Sequence, residues 1–118
     1  MPTLNEIGRE SHETSASKGF DSLKPEDWGV WDKSLHQWKM IPKGPVPTKL
    51  ALIHSEVSEA LEVFRKTHDL QDFAYELADI VIRVGQLAHG LGIDLDKAVD
   101  EKLSYNKTRE YKHGGRII

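Results

Sequence analysis

The spacing of apolar residues in the second half of the chain limits the possible folds more than any other feature. From Thr48 to about Tyr111 apolar side chains recur with the period of an α-helix, and the alternation typical of a half-buried strand is absent. Residues able to cap a helix N-terminus stand at Thr48, at Asp69 or Asp72, and at Asp94. The pattern therefore predicts three long helices, over 48–66, from Asp69 or Asp72 to about Leu91, and from Asp94 to about Tyr111.

The first half of the chain is predicted to contribute one shorter helix and a long irregular segment. Residues 3–18 have a modest helical pattern that Gly19 can terminate. Residues 19–47 contain four of the five prolines and all three tryptophans, so we expect irregular structure with a helical turn or two between Trp31 and Trp38. An irregular run of this length more often has a function than not. The fold class is therefore expected to be all-α, a four-helix bundle.

Composition limits the classes of function. A chain of 118 residues has room for one domain, and only 38% of its residues are apolar, against about 45–50% in soluble domains. Part of the core is therefore expected to come from a second copy, in a homodimer or a dimer of dimers. Sixteen basic against nineteen acidic residues argue against a nucleic acid polymer as partner, and the absence of cysteine excludes disulfides and Cys-ligated zinc. Charges throughout residues 1–13 and no apolar run of ~20 residues predict a cytoplasmic protein without a membrane partner.

Four acids lie on or beside the predicted apolar surfaces of two successive helices. Helical periodicity places Glu56 between two apolar stripes and Glu59 beside the second stripe, whereas Glu62 points to solvent. On the next helix Glu76 lies at the edge of the main stripe, and Asp79 is one step further out. Acids three residues apart are neighbours on a helix, and a carboxylate in a bundle interior is costly unless it is paired or binds a metal. Two facing pairs would supply four carboxylates, which suit Mg²⁺ or Mn²⁺.

Ordinary surface ion pairs are the alternative explanation for these acids. The spacings E-x-x-E and E-x-x-D occur often by chance in charged helices, and Arg83 follows Asp79 by four residues, the spacing of a surface pair. The last helix carries the opposite charge, because Lys102, Asn106 and Arg109 continue its inward stripe. Inward Lys and Arg beside a carboxylate–metal site suit phosphate oxygens, and the alternative is that they pair with the acids. A ferritin-like di-iron site is excluded because neither acidic helix has Glu-x-x-His.

Taken in order along the chain, these motifs resemble a known family. The sequence E-V-S-E at 56–59, sixteen further residues and then E-L-A-D at 76–79 are similar to the paired acidic motifs of the MazG-like nucleoside triphosphate pyrophosphohydrolases. That family belongs to the all-α NTP pyrophosphatase superfamily, with the dimeric dUTPases and dCTPases. Lys102, Asn106 and Arg109 resemble its K-x-x-x-N-x-x-R motif, and H-G-G-R at 113–116 is similar to the tail of one single-domain subgroup.

The resemblance implies Mg²⁺-dependent hydrolysis of a (deoxy)nucleoside triphosphate to a monophosphate and pyrophosphate, with Mn²⁺ as a substitute cofactor. It implies one MazG-like domain over 1–118, made of an N-terminal helix (1–18), the Pro/Trp-rich segment (19–47), a three-helix catalytic core (48–111) and a tail (112–118). The residues implied to be catalytic and to bind the metal are Glu56, Glu59, Glu76 and Asp79, and those implied to bind phosphate are Lys102, Asn106 and Arg109. Ser55 stands where several relatives have another Glu, so a role for that acid does not transfer.

The base of such a substrate needs a flat side chain on which to stack. Trp31, His36 and Trp38 resemble the aromatic segment ahead of the first metal helix in dCTPase-like relatives, and the further aromatic candidates are Phe20, Trp28 and Tyr105. Two other functions stay open from the sequence. One is a non-catalytic dimeric helical interaction module whose acids are solvated. The other is a hydrolase of the same fold that acts on a nucleoside diphosphate or another pyrophosphate-bearing metabolite.

Overall fold

The described part of this computed structural model comprises residues 1–19, 23–32, 37–39 and 45–109. Within these ranges the chain forms four α-helices, one 3₁₀ turn at Pro25–Trp28 and one pair of three-residue strands. The helices are α1 (Leu4–Ser17), α2 (Pro45–Lys66), α3 (Leu70–Gly90) and α4 (Leu95–Thr108), and the strands are β1 (Val30–Asp32) and β2 (Gln37–Lys39). The predicted all-α class is confirmed, with the strand pair as a minor addition.

Short polar side chains set the helix starts, as predicted for two of the three long helices. Asp69 and Asp94 cap α3 and α4 by accepting hydrogen bonds from the backbone N–H groups of Asp72 and Lys97. The prediction that Thr48 caps α2 is wrong, because α2 already begins at Pro45. Proline is tolerated in a first helical turn, where its missing N–H would have had no partner within the helix.

Two further predictions need correction, one for the segment between Trp31 and Trp38 and one for the end of the last helix. The helical turn expected between Trp31 and Trp38 is wrong at the described positions, because β1 and β2 pair antiparallel with Trp31 opposite Trp38. Valine and tryptophan favour extended backbone once a partner strand is present. The last helix ends at Thr108, where the expected end was Tyr111, and Arg109 already has extended dihedral angles. The predicted tail over 112–118 lies outside the described residues.

Helix α3 is the centre of the fold, and α1 approaches it until the two backbones touch. Gly8 is buried, and a Cβ atom added there would lie 2.1 Å from the carbonyl oxygen of Gly85. Only glycine at position 8 allows this separation, because any side chain would overlap the backbone of the neighbouring helix. Helix α2 packs against another part of α3, so α3 positions residues of both neighbours relative to one another.

The N-termini of α1 and α4 cap each other. The carboxylate of Asp96 accepts hydrogen bonds from the backbone N–H groups of Leu4 and Asn5, at 3.0 and 3.1 Å. In return Asn5 Oδ1 accepts the N–H of Leu95 at 2.8 Å, and Asn5 Nδ2 donates to Asp94 Oδ1 at 2.8 Å. These bonds satisfy N–H groups that a helix cannot pair within itself, so each helix start stabilises the other.

The apolar core of the single chain is very small. The buried apolar residues among those described are Leu23, Ala60 and Ala88. On α2 the apolar side chains of Val57 and Phe64 are half exposed, at 50% and 54%. The radius of gyration is 17.3 Å, against about 13 Å for a compact domain of 100 residues. In the described part of the chain, every helix is too short or too polar to cross a membrane.

Candidate metal centre

Three carboxylates meet between the middle parts of α2 and α3. One carboxylate oxygen each from Glu56, Glu76 and Asp79 lies within 4.8 Å of the others. Residues 67–69 connect α2 to α3, so the two helices run in opposite directions and residues at similar distances from the turn come opposite each other. The i,i+3 spacing of Glu76 and Asp79 turns both acids toward α2. The structure thus brings together three of the four acids proposed from the sequence.

Glu56 is the most buried of the three acids and is held by a cation from the neighbouring helix. Its residue exposure is 9%, and its Oε1 accepts a hydrogen bond from Arg83 Nε at 2.7 Å. The sequence left open a surface pair between Arg83 and Asp79 on the same helix, whereas in the described structure the guanidinium reaches across to α2. This contact compensates part of the cost of burying Glu56.

Glu76 has a carboxylate oxygen that the protein leaves without a partner. The residue as a whole is partly exposed, but its Oε2 is cut off from solvent and has no hydrogen-bond partner among the described residues. Desolvation raises the pKa of Glu76, and the charges of Glu59, Asp79 and Glu56 and a hydrogen bond with Glu59 raise it further. A buried, unpaired acceptor among like charges is a place where a bound cation would be stabilised.

Glu59, the fourth acid, lies beside the group of three. It is exposed, and it acts on the Glu76 carboxyl both as a neighbouring charge and as a hydrogen-bond partner. Glu62 behaves differently, because it points to solvent and pairs with Lys66 at 3.3 Å and with Arg65 at 3.8 Å. Four oxygen-donor side chains, one with a buried orphan oxygen, fit a hard divalent cation such as Mg²⁺.

The three residues proposed for phosphate binding lie on the last two turns of α4 and directly after its end, and all three are exposed in the single chain. Lys102 Nζ is 5.1 Å from the ring centroid of Tyr105, and Arg109 Cζ is 5.8 Å from it. Arg109 Nη1 also donates to Asn106 Oδ1 at 3.3 Å. The inward position expected from the periodicity is therefore not found, because the half-buried residues of α4 are confined to its first turn. Neither Lys102 nor Asn106 has a hydrogen bond or ion pair to the four acids within the described ranges.

The aromatic candidates for base binding are only partly accounted for. Trp31 and Trp38 are paired in register across β1 and β2, and His36 lies outside the described residues, as does Phe20. Trp28 and Tyr105 are more than half exposed. Among the described residues, neither ring lines the cavity that contains Glu56 and Asp79.

A cavity next to the acids includes residues that the sequence pattern did not single out. Its volume is about 260 Å³, with Glu56, Asp79 and Arg83 on one side and Ser11, Ser15 and Gln86 on the other. The α1 serines could not be assigned to the site from sequence, because their place depends on the Gly8–Gly85 contact. A usable signal existed on α3, where Arg83 and Gln86 follow Asp79 by four and seven residues and so share its face.

Comparison with family models, with curated proteins and with solved structures finds no match to this chain.

Proposed function

We propose that this protein is a MazG-like nucleoside triphosphate pyrophosphohydrolase, which uses Mg²⁺, or Mn²⁺ in its place, to hydrolyse a (deoxy)nucleoside triphosphate to a monophosphate and pyrophosphate. The observation that carries the proposal is the meeting of Glu56, Glu76 and Asp79 within 4.8 Å, with the Oε2 of Glu76 buried and unpaired. A non-catalytic module with solvated acids has no need for such a group. The order of the acidic and basic motifs along the chain supports the choice of substrate.

The four acids have related but distinct roles in this proposal. Glu56, Glu76 and Asp79 hold the cation, and Glu59 supplies the adjacent fourth carboxylate. When bound, the divalent ion neutralises phosphate oxygens and lowers the pKa of the attacking water. Arg83 keeps the Glu56 carboxylate in one orientation through its 2.7 Å contact, and it adds a positive charge beside the phosphate path.

A homodimer, or a dimer of dimers, is the proposed active assembly. The support is the exposed apolar face of α2 and α3, which a second copy could cover. Members of this face that are about half exposed are Leu50, Val57, Leu61, Phe64 and Leu77. In such an assembly the exposed Lys102 and Arg109 would supply positive charge to the departing pyrophosphate, and Asn106 would supply a hydrogen bond.

The test is product analysis with a matched pair of variants. The chain is incubated with Mg²⁺ and each ribo- and deoxyribonucleoside triphosphate, and pyrophosphate and orthophosphate are measured separately. We expect pyrophosphate and monophosphate in equal amounts. Glu76→Gln keeps the size of the side chain and should lower kcat by at least about 100-fold, whereas Glu62→Gln on the solvated face of α2 should not change it.

Three results would contradict the proposal. Absence of turnover with every triphosphate would show that the protein does not have the proposed activity. Release of orthophosphate would show that it catalyses a different hydrolysis. Near-normal turnover by Glu76→Gln would show that the acids do not bind the catalytic ion.

A further inference from the structure

The side-chain amide of Gln86 is held in a fixed place at the edge of the cavity beside the acids. Ser11 Oγ donates a hydrogen bond to Gln86 Oε1 at 3.1 Å, and Gln86 Nε2 donates to Ser15 Oγ at 3.0 Å. Both bonds are partly buried and cross from α1 to α3. The amide plane is therefore fixed at two points while one of its edges lines the cavity.

This arrangement leaves part of the hydrogen-bonding capacity of Gln86 unused. A primary amide has two N–H donors and two acceptor lone pairs, and the serines use one of each. One N–H and one lone pair are therefore available to a ligand. Glutamine recognises adenine with one donor and one acceptor of its amide, so these two groups can contact the edge of a nucleobase.

The cavity also has the right position and size to hold a base. Glu56 and Asp79 belong both to the carboxylate group and to the cavity wall, so a ligand whose phosphates lie at the acids would extend directly past Gln86. The volume of about 260 Å³ is just below the ~300–1,000 Å³ of ligand pockets, so the cavity has room for one base and its sugar at most. It shares Ser11, Ser15 and Ile82 with an apolar groove whose other lining residues include Ile7, Ala78 and Val81, which can cover the flat face of a base.

We propose that Gln86 selects the nucleobase of the substrate, by hydrogen bonding to the base edge in the cavity between α1 and α3. This inference rests on the proposed function, because the phosphates place the base. Ser11 and Ser15 are positioning residues that orient the amide. The Pro/Trp-rich segment (19–47) is then not needed for the choice of base.

The experiment measures kcat/KM for triphosphates of all four bases with Mg²⁺, in the wild type and in two variants at position 86. Gln86→Leu removes the donor and the acceptor, so we expect the spread of kcat/KM among the bases to fall at least tenfold. Gln86→Glu has acceptors only. A carboxylate lowers turnover of every substrate by repulsion, but it pairs best with the two adjacent N–H groups of guanine. The ratio of kcat/KM for the guanine triphosphate to kcat/KM for the other triphosphates should therefore rise at least tenfold.

The controls separate a base contact from a purely structural role. Ser17→Ala on α1 lies outside the cavity, where its hydroxyl donates to the carbonyl of Thr14, so its selectivity should match the wild type. If Gln86 has only a structural role, its variants should have a lower melting temperature and unchanged ratios of kcat/KM among the bases. That result would overturn this inference and leave the proposed function intact. If Gln86→Leu does not fold, Gln86→Glu decides. If the wild type hydrolyses no triphosphate, both this inference and the proposed function are wrong.

Discussion

Replacing Gly8 by alanine, and comparing it with the same change at Gly85, tests how closely α1 packs on α3. A Cβ atom at position 8 would lie 2.1 Å from the Gly85 carbonyl oxygen, whereas real Cβ contacts below 3.0 Å essentially never occur. The helices must therefore separate by about 1 Å, since backbone cannot rotate away as a side chain can. At Gly85 the nearest atoms to an added Cβ are at 3.2 Å, so Gly85→Ala needs a much smaller shift.

The expected loss of stability follows from three contributions. Overpacking costs up to about 3 kcal/mol. A shift of about 1 Å also breaks the Ser11–Gln86 and Gln86–Ser15 bonds, at about 1 kcal/mol each. The better helix propensity of alanine returns about 1 kcal/mol. The net loss for Gly8→Ala is thus about 3–4 kcal/mol, or a fall in Tm of at least ~10 °C.

The assay is thermal and urea unfolding at one fixed protein concentration, because any self-association makes Tm depend on concentration. Gly85→Ala should lose less than Gly8→Ala. Glu13→Ala on the exposed side of α1 should stay within about 0.5 kcal/mol of the wild type. A Gly8→Ala protein as stable as the wild type would refute the backbone contact between the two helices.

Two further predictions concern metal and pH. Mg²⁺ at 100 times its Kd should stabilise the wild type and the control Glu62→Gln by about 2.7 kcal/mol, which is seen as a higher Tm. The same Mg²⁺ concentration should have little effect on the Tm of Glu76→Gln. Equal shifts in Tm in all three proteins would contradict the metal centre. Burial lowers the pKa of His12, as do the nearby His89 and Lys49, while Glu13 acts in the opposite direction. The unfolded chain then binds more protons at this site, so stability should fall as pH drops below about 6.5 through the lowered pKa of His12. His12→Gln should remove this part of the pH dependence in urea unfolding curves, and identical curves for both proteins would count against it.

The parts of the fold that sequence could predict depend on local spacing. Asp69 and Asp94 were identifiable as caps because a short acid before an apolar periodic run suits a helix start. The approach of Glu76 and Asp79 to Glu56 follows from i,i+3 spacing on two helices joined by a short turn. Neither inference needs a contact between distant segments.

The remaining parts depend on packing between distant segments. The close backbone contact between Gly8 and Gly85 has no local signature, and it decides where Ser11 and Ser15 lie. Arg83 has Asp79 within reach on its own helix, yet it binds Glu56, because the buried carboxylate has more to gain from a cation. Periodicity predicted an inward face for Lys102, but a helix that meets the bundle only near its start has no inward face at that position.

The mutual capping of α1 and α4 closes a chain loop of about ninety residues by hydrogen bonds between positions 4–5 and 94–96. Contacts at such sequence separation carry a large entropic cost of closure, so they are expected to form after the α2–α3 hairpin has folded. The beginning of the chain thereby governs the order of a helix near its other end. Removal of residues 1–5, or a bulky fusion in front of them, would loosen α4 and leave the packing of α2 on α3 in place.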